Sequence, residues 1–289
     1  MTRTVHYRTT EVNGLEVFHR EAGDPRGARP GAAPRVPDEL GMFRNLIPAL
    51  ADRHRVIAPD HIGFGQSAMP AATDFPYTFD ALTEVTAGLL EQLGVDRFAV
   101  YVQDYGAPIG WRLALADPRR ITAVVSQSGN AYTEGFVMPF WDGLFAYAKD
   151  PNPETEAPVR GALTLEVTRW QYLNGVADPS LVSPDNWVHD QALLDRPGNA
   201  EIQLSLFRDY PRNVDMYPAV HQYFRDSQVP LLAVWGEHDE IFGPDGARAF
   251  RHDLPDAEVH LVESGHFALE SHLEPITEYI RGFLDRVPV

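Results

Sequence analysis

The chain contains no cysteine among its 289 residues. Disulfide scaffolds, thiolate zinc sites, iron–sulfur clusters and cysteine nucleophiles are thereby excluded. Lysine is nearly absent as well: Lys149 stands alone among 24 basic residues, and the others are arginine. No stretch reaches the roughly 18 uninterrupted apolar residues of a membrane span. The opening MTRTVHYRTTEV is polar and alternating, without the apolar run of a signal peptide. A cytoplasmic protein without a membrane partner is expected. Positive charge is scarce, with 41 acidic residues and a formal net charge of −17. That field repels nucleic-acid phosphates, so no nucleic acid is expected as a partner.

What remains is a chain that can fold around a full core, 44% apolar and 11% aromatic. Apolar strand-like runs alternate with helical ones. Residues 6–12 and 15–21 read as a hairpin about Asn13-Gly14. Buried strands are predicted at 55–60 (RVIAPD), 97–103 (RFAVYVQ), 121–127, 230–235 and 257–262. Helices are predicted at 78–93, 107–116 and 276–287, the first with Phe79, Leu82, Val85, Leu89 and Leu93 on one face. This alternation predicts an α/β fold, a mostly parallel sheet with helices on both faces. Residues 132–226 break it, being rich in Trp, Tyr, Pro and Asp with no strand run. They are expected to form an inserted helical lid on a core of residues 1–131 and 227–289. The aromatics of this insert, Phe140, Trp141, Trp170, Tyr172 and Trp187, either line a pocket or fill the insert's own core.

The chemistry concentrates at three strand ends. In Val102-Gln103-Asp104-Tyr105-Gly106-Ala107 a buried strand stops at a carboxylate, and small residues then open a helix. This is the layout of a nucleophile elbow, with the anion facing the positive end of a helix. The same segment also fits an ordinary helix cap. LLAVWGEHD (231–239) places an acid, Asp239, after a later strand, and VESGHF (262–267) places His266 after the last one. Nucleophile, acid, histidine is the chain order of a hydrolytic triad, with His266 as base and Asp239 as its orienting partner. The eleven histidines include no His-x-His or His-x-x-x-His spacing, so neither a metal nor a cofactor is expected.

Taken together, REAG (20–23), MFRNLIPAL (42–50), APDHIGFGQS (58–67), the Asp104 elbow, WGEHD and SGHFALE (264–270) resemble the α/β-hydrolase superfamily. The similarity is to its aspartate-nucleophile branch of epoxide hydrolases and haloalkane dehalogenases, over nearly the whole chain. It implies the α/β-hydrolase fold and a small hydrophobic organic substrate hydrolysed by water, and it leaves a homo-oligomer open. An aspartate gains most by attacking saturated carbon, because the ester formed can be split by water activated at histidine. Dehalogenases of this branch usually carry Trp after the nucleophile, where this chain has Tyr105. Epoxide hydrolases supply a ring-opening acid from lid tyrosines, and Tyr217 in NVDMYP (213–218), then Tyr172, are the candidates. Epoxide hydrolysis is therefore the leading expectation and haloalkane hydrolysis the alternative. Trp170, Tyr172 and Tyr217 are the expected substrate contacts.

One segment departs from the family. Where its members have a central strand and His-Gly-x-Pro, residues 28–41 read ARPGAAPRVPDELG. Prolines 30, 34 and 37 each lack the donor a central strand needs, so that strand is expected to be disrupted. Written as GGT GCT GCT CCA CGG GTT CCC GAC GAG CTC and shifted by one base, Gly31 to Leu40 becomes Val-Leu-Leu-His-Gly-Phe-Pro-Thr-Ser-Ser. A pair of compensating single-base shifts bracketing roughly 28–41, genuine or a sequencing artefact, would account for the departure. By resemblance the oxyanion donors are the N–H groups of Tyr105 and of Val36. A catalytically silent or poorly folded protein is the further alternative.

Overall fold

The computed structural model describes residues 4–24, 35–36 and 41–287, with backbone alone at 35–36. Strands β1 (His6–Val12) and β2 (Leu15–Ala22) form the antiparallel hairpin. Its turn residues Asn13 and Gly14 both have positive φ, +52° and +80°, as the tight hairpin turn requires. Strand β2 also pairs antiparallel with β4 (Val56–Pro59). The second sheet is wholly parallel and runs β3 (Arg35–Val36), β5 (Phe98–Gln103), β6 (Ile121–Gln127), β7 (Leu231–Gly236), β8 (Glu258–Val262).

Strand β3 is short. Arg35 and Val36, the two residues between Pro34 and Pro37 that keep a backbone N–H, pair with Tyr101 and Val102 of β5. The expected disruption at 28–41 falls, apart from residues 35–36 and Gly41, outside the described residues.

Side-chain alternation along β5 explains why both faces of the sheet are covered. Phe98, Val100 and Val102 join one buried cluster with helices α2 (Phe79–Gln92) and α3 (Gly106–Ala116). Ala99 and Tyr101 join another, with α1 (Leu46–Leu50) and the C-terminal helix (Leu273–Arg286). Thr78 caps α2 by accepting from the Ala81 N–H at 3.2 Å. The C-terminal helix buries Ile276, Ile280 and Phe283, one face at four- and three-residue steps.

Between β6 and β7 the chain forms six helices: α4 (Met138–Lys149), α5 (Pro153–Gly161), α6 (Leu165–Leu173), α7 (Pro184–Leu194), α8 (Asn199–Asp209) and α9 (Pro211–Ser227). Polar bonds fasten this insert to the core. Asp209 accepts from the Phe79 N–H at 2.8 Å. Arg196 donates to the carbonyls of Gly65 (2.9 Å) and Gly63 (3.1 Å), and Asn199 donates to Gly63 as well. No helix among the described residues is long and apolar enough to cross a membrane.

Candidate active site

The three residues singled out at strand ends converge on one point. Asp104 follows β5 with φ at +42°. A side-chain-bearing residue pays for that left-handed conformation, and Asp is among the few that tolerate it. The bend turns the carboxylate away from the sheet, and Ala107 N–H bonds back to the Asp104 carbonyl at 2.9 Å as α3 begins. His266 Nε2 lies 3.0 Å from Asp104 Oδ2, and Nδ1 lies 3.0 Å from Asp239 Oδ2. Of these three side chains only Asp104 is appreciably open, at 24% exposure against 2% for His266 and 0% for Asp239.

Asp239 is held on every side. Its Oδ1 accepts from the N–H groups of Ile241 (2.8 Å) and Phe242 (3.1 Å), and its Oδ2 also accepts from Ser128 Oγ at 2.7 Å. The imidazole is thus placed by a carboxylate that cannot swing. Burial by itself would push His266 down. The Asp239 charge, followed by bonds from Asp104 and Asp239, overcomes it and raises the imidazole to about 10. In the resting site His266 is therefore a cation between two carboxylates. The Gln103 side chain also lies against Nε2, and toward a protonated imidazole it is the amide oxygen, otherwise without a partner, that can accept.

The glycines of WGEHD and SGHFALE are explained by backbone crowding here. A Cβ on Gly236 would lie 2.1 Å from the Gly265 carbonyl oxygen, and one on Gly265 would lie 1.8 Å from that of Asn174 in the insert. Gly265→Ala is expected to cost about 1–3 kcal/mol and to displace the adjoining His266. Urea unfolding midpoints and turnover measured on one preparation check both effects together; unchanged values for both contradict the crowding.

Asp104 opens into a cavity of about 530 Å³ between core and insert, within the range of small-molecule sites. Phe64 and Tyr105 floor it, and Phe140, Trp141, Leu144 and Trp170 wall it, so it is largely apolar. Trp170 lines it too, stacked on Phe140 at 6.0 Å. Tyr105 follows the elbow, its ring edge-on to Phe79 at 5.2 Å. Val36 stands opposite Val102, two residues before Asp104, at the same sheet edge.

The two tyrosines expected to touch substrate lie elsewhere in the structure. Neither Tyr172 nor Tyr217 is among the described residues lining the cavity. Tyr172 donates its hydroxyl to Asp190 Oδ2 and packs its ring on Phe267 at 4.4 Å. Tyr217 is buried between Phe136 and His221 and accepts from the Asn130 amide at 3.3 Å. Burial raises its hydroxyl, making it a weaker acid than free tyrosine. Helical spacing could not say which way these rings point.

Ser128, Gln103 and Asp190 were not anticipated. Ser128 carried a faint signal, since a Ser-Gly pair after a strand marks a turn, and its φ is +49°. Among the described residues Glu237, His238 and Glu263 have metal-like spacing, but all three are exposed and none lines the cavity.

Comparison with known proteins agrees with this architecture. The alpha/beta hydrolase fold family matches residues 36–273. An uncharacterized hydrolase of Saccharomyces cerevisiae is 41% identical over 278 residues, covering 93% of each chain. Epoxide hydrolase A of Mycobacterium tuberculosis is 34% identical over 133 residues, 46% of this chain and 41% of that one. The crystal structure of haloalkane dehalogenase DbeA from Bradyrhizobium elkani superposes with a TM-score of 0.81 at 21% identity, covering 98% of both chains. The chain belongs to the alpha/beta hydrolase fold family and is a hydrolase.

Proposed function

We propose that the chain hydrolyses a small apolar epoxide through a covalent ester on Asp104, with the helical insert acting as a lid. The observation that carries this reading is the imidazole bridging two carboxylates, of which Asp104 alone opens to the cavity. A carboxylate attacking an acyl carbon would gain only an anhydride, whereas at a strained saturated carbon it gains a stable ester. Attack by Asp104 breaks the ring C–O bond and leaves the electron pair on oxygen, which must then take up a proton.

Ester formation also changes the histidine. Once Asp104 is neutral, His266 loses one of the two anions that raise it, and the imidazole passes its proton to solvent more readily. The neutral base then removes a proton from water as its oxygen adds to the Asp104 carbonyl carbon. The Tyr105 and Val36 N–H groups take the developing oxyanion. Collapse expels the product alkoxide, which receives the proton held by His266, and Asp104 is left as an acid that gives up its own. The chemistry calls on neither metal nor cofactor.

A second reading, haloalkane hydrolysis, is favoured by one observation: an indole, Trp170, in the cavity wall, of the kind that donates to a departing halide. A single turnover in ¹⁸O-water with enzyme in excess tests both. The first diol is expected to carry no label, because its new oxygen comes from Asp104; label in the first diol means direct attack by water and ends the ester reading. Halide release with no diol selects the second substrate class.

A further inference from the structure

Opening an epoxide requires a proton at the departing oxygen, and both lid tyrosines point elsewhere. In-line displacement sends that oxygen away from Asp104, toward the insert. Among the described residues lining the cavity, one other carries a carboxyl group: Asp190, on α7 of the insert. It is 7% exposed, and its Oδ2 accepts the Tyr172 hydroxyl. The Tyr172 ring rests on Phe267, whose own ring lies 4.8 Å from His266. Asp190 is thus linked through Tyr172 and Phe267 to His266.

The groups facing Asp190 are Tyr172 from α6, His189 from its own helix, and Arg44 and Glu270 from the core. No described arginine or histidine forms an ion pair with it. Arg44, the nearby guanidinium, is held by both oxygens of Glu270 at 2.8 and 3.0 Å. A buried carboxyl without its own cation favours the protonated form. Burial, only partly offset by the Tyr172 bond, pushes this one up to about 6. An apolar substrate that expels cavity water pushes it in the same direction.

We propose that Asp190, held by Tyr172, is the acid that protonates the epoxide oxygen as Asp104 attacks. This rests on the aspartyl-ester reading above. As the Asp104–carbon bond forms and the ring C–O bond breaks, the Asp190 proton moves to that oxygen, giving a hydroxyalkyl ester and the Asp190 carboxylate. The proton that Asp104 releases after hydrolysis restores Asp190, and the proton that His266 passed to solvent when the ester formed returns to the imidazole, so the net reaction is epoxide plus water to diol.

The test isolates ester formation in a His266→Gln background, where the ester persists and His266 cannot contribute to the pH profile. Rapid-quench intact mass spectrometry follows alkylation by styrene oxide and by benzyl bromide. Adding Asp190→Asn is expected to slow alkylation by the epoxide about 10²–10⁴-fold and to leave the bromide unaffected, since bromide departs without a proton. The epoxide rate should fall as pH rises above about 6, and Asp190→Asn should abolish that dependence. Tyr172→Phe removes a bond that favours the carboxylate, so it should move the fall to higher pH, which a merely structural role would not do. Equal epoxide rates with and without Asp190, or equal slowing of epoxide and bromide, overturns the assignment. If neither compound alkylates the His266→Gln protein, the ester reading itself fails, a result distinct from a normal adduct that is indifferent to Asp190.

Discussion

Asp104→Asn is expected to reduce turnover at least about 10⁴-fold, the scale on which removing one member of a catalytic triad acts. The substitution keeps the shape of the side chain, and asparagine tolerates the positive φ of the elbow as aspartate does. The loss therefore reports chemistry and not unfolding. It should also change the histidine. In the intact site His266 is raised to about 10, with Asp104 among the causes. Because the folded value exceeds the unfolded one of about 6.5, the ionic arrangement contributes stability fully present below about 6.5. That stability is lost as pH rises through about 10. Removing the Asp104 charge should flatten this decline. Urea unfolding at pH 6 and pH 10.5, together with steady-state rates, checks both parts. Turnover within tenfold of the parent protein removes Asp104 from the mechanism.

His266→Gln should divide the reaction in two. Asp104 still attacks, but no base remains to activate water, so turnover falls about 10²–10⁴-fold while ester accumulates. Intact mass spectrometry should show one adduct per chain. An epoxide adds its entire mass, and a haloalkane adds its mass less that of the hydrogen halide, so the increment identifies the substrate class. Peptide mapping should place the adduct on Asp104. A folded His266→Gln protein that acquires no adduct from either class is the signature of a silent member of the family.

The fold was largely legible because its strands announce themselves. The run RFAVYVQ could only be buried on both faces, and Phe98–Gln103 is. The candidate triad was legible for a related reason: Asp104, Asp239 and His266 each stand within four residues of a strand end, where polar residues interrupt apolar runs. The insert was not. Five of its six helices run for only 9 to 12 residues, Pro158 and Pro218 lie inside two of the six, and aromatics occupy more than one face. Tyr172 and Tyr217 find partners 18 residues away at Asp190 and 87 away at Asn130, pairings that no local pattern encodes. Asp190 was missed because a lone acid in a polar helix looks like a solvated one; only the surrounding packing distinguishes it. Strand β3 escaped notice because two residues between prolines carry no periodicity.

The loop carrying Asp239 is also paired with the first turns of the insert. Phe136 bridges Phe242 in antiparallel fashion, Gly243 N–H donates to the Gly135 carbonyl at 2.8 Å, and Trp141 Nε1 donates to the Ile241 carbonyl at 2.8 Å. Ile241 and Phe242 are the same residues whose amides clamp Asp239. A chimera that exchanged residues 132–226 alone would splice a foreign segment onto half of this joint and leave the other half unmatched. Transplanting a new roof onto this scaffold, or this roof onto another, therefore means moving residues 239–243 with it as a single cassette.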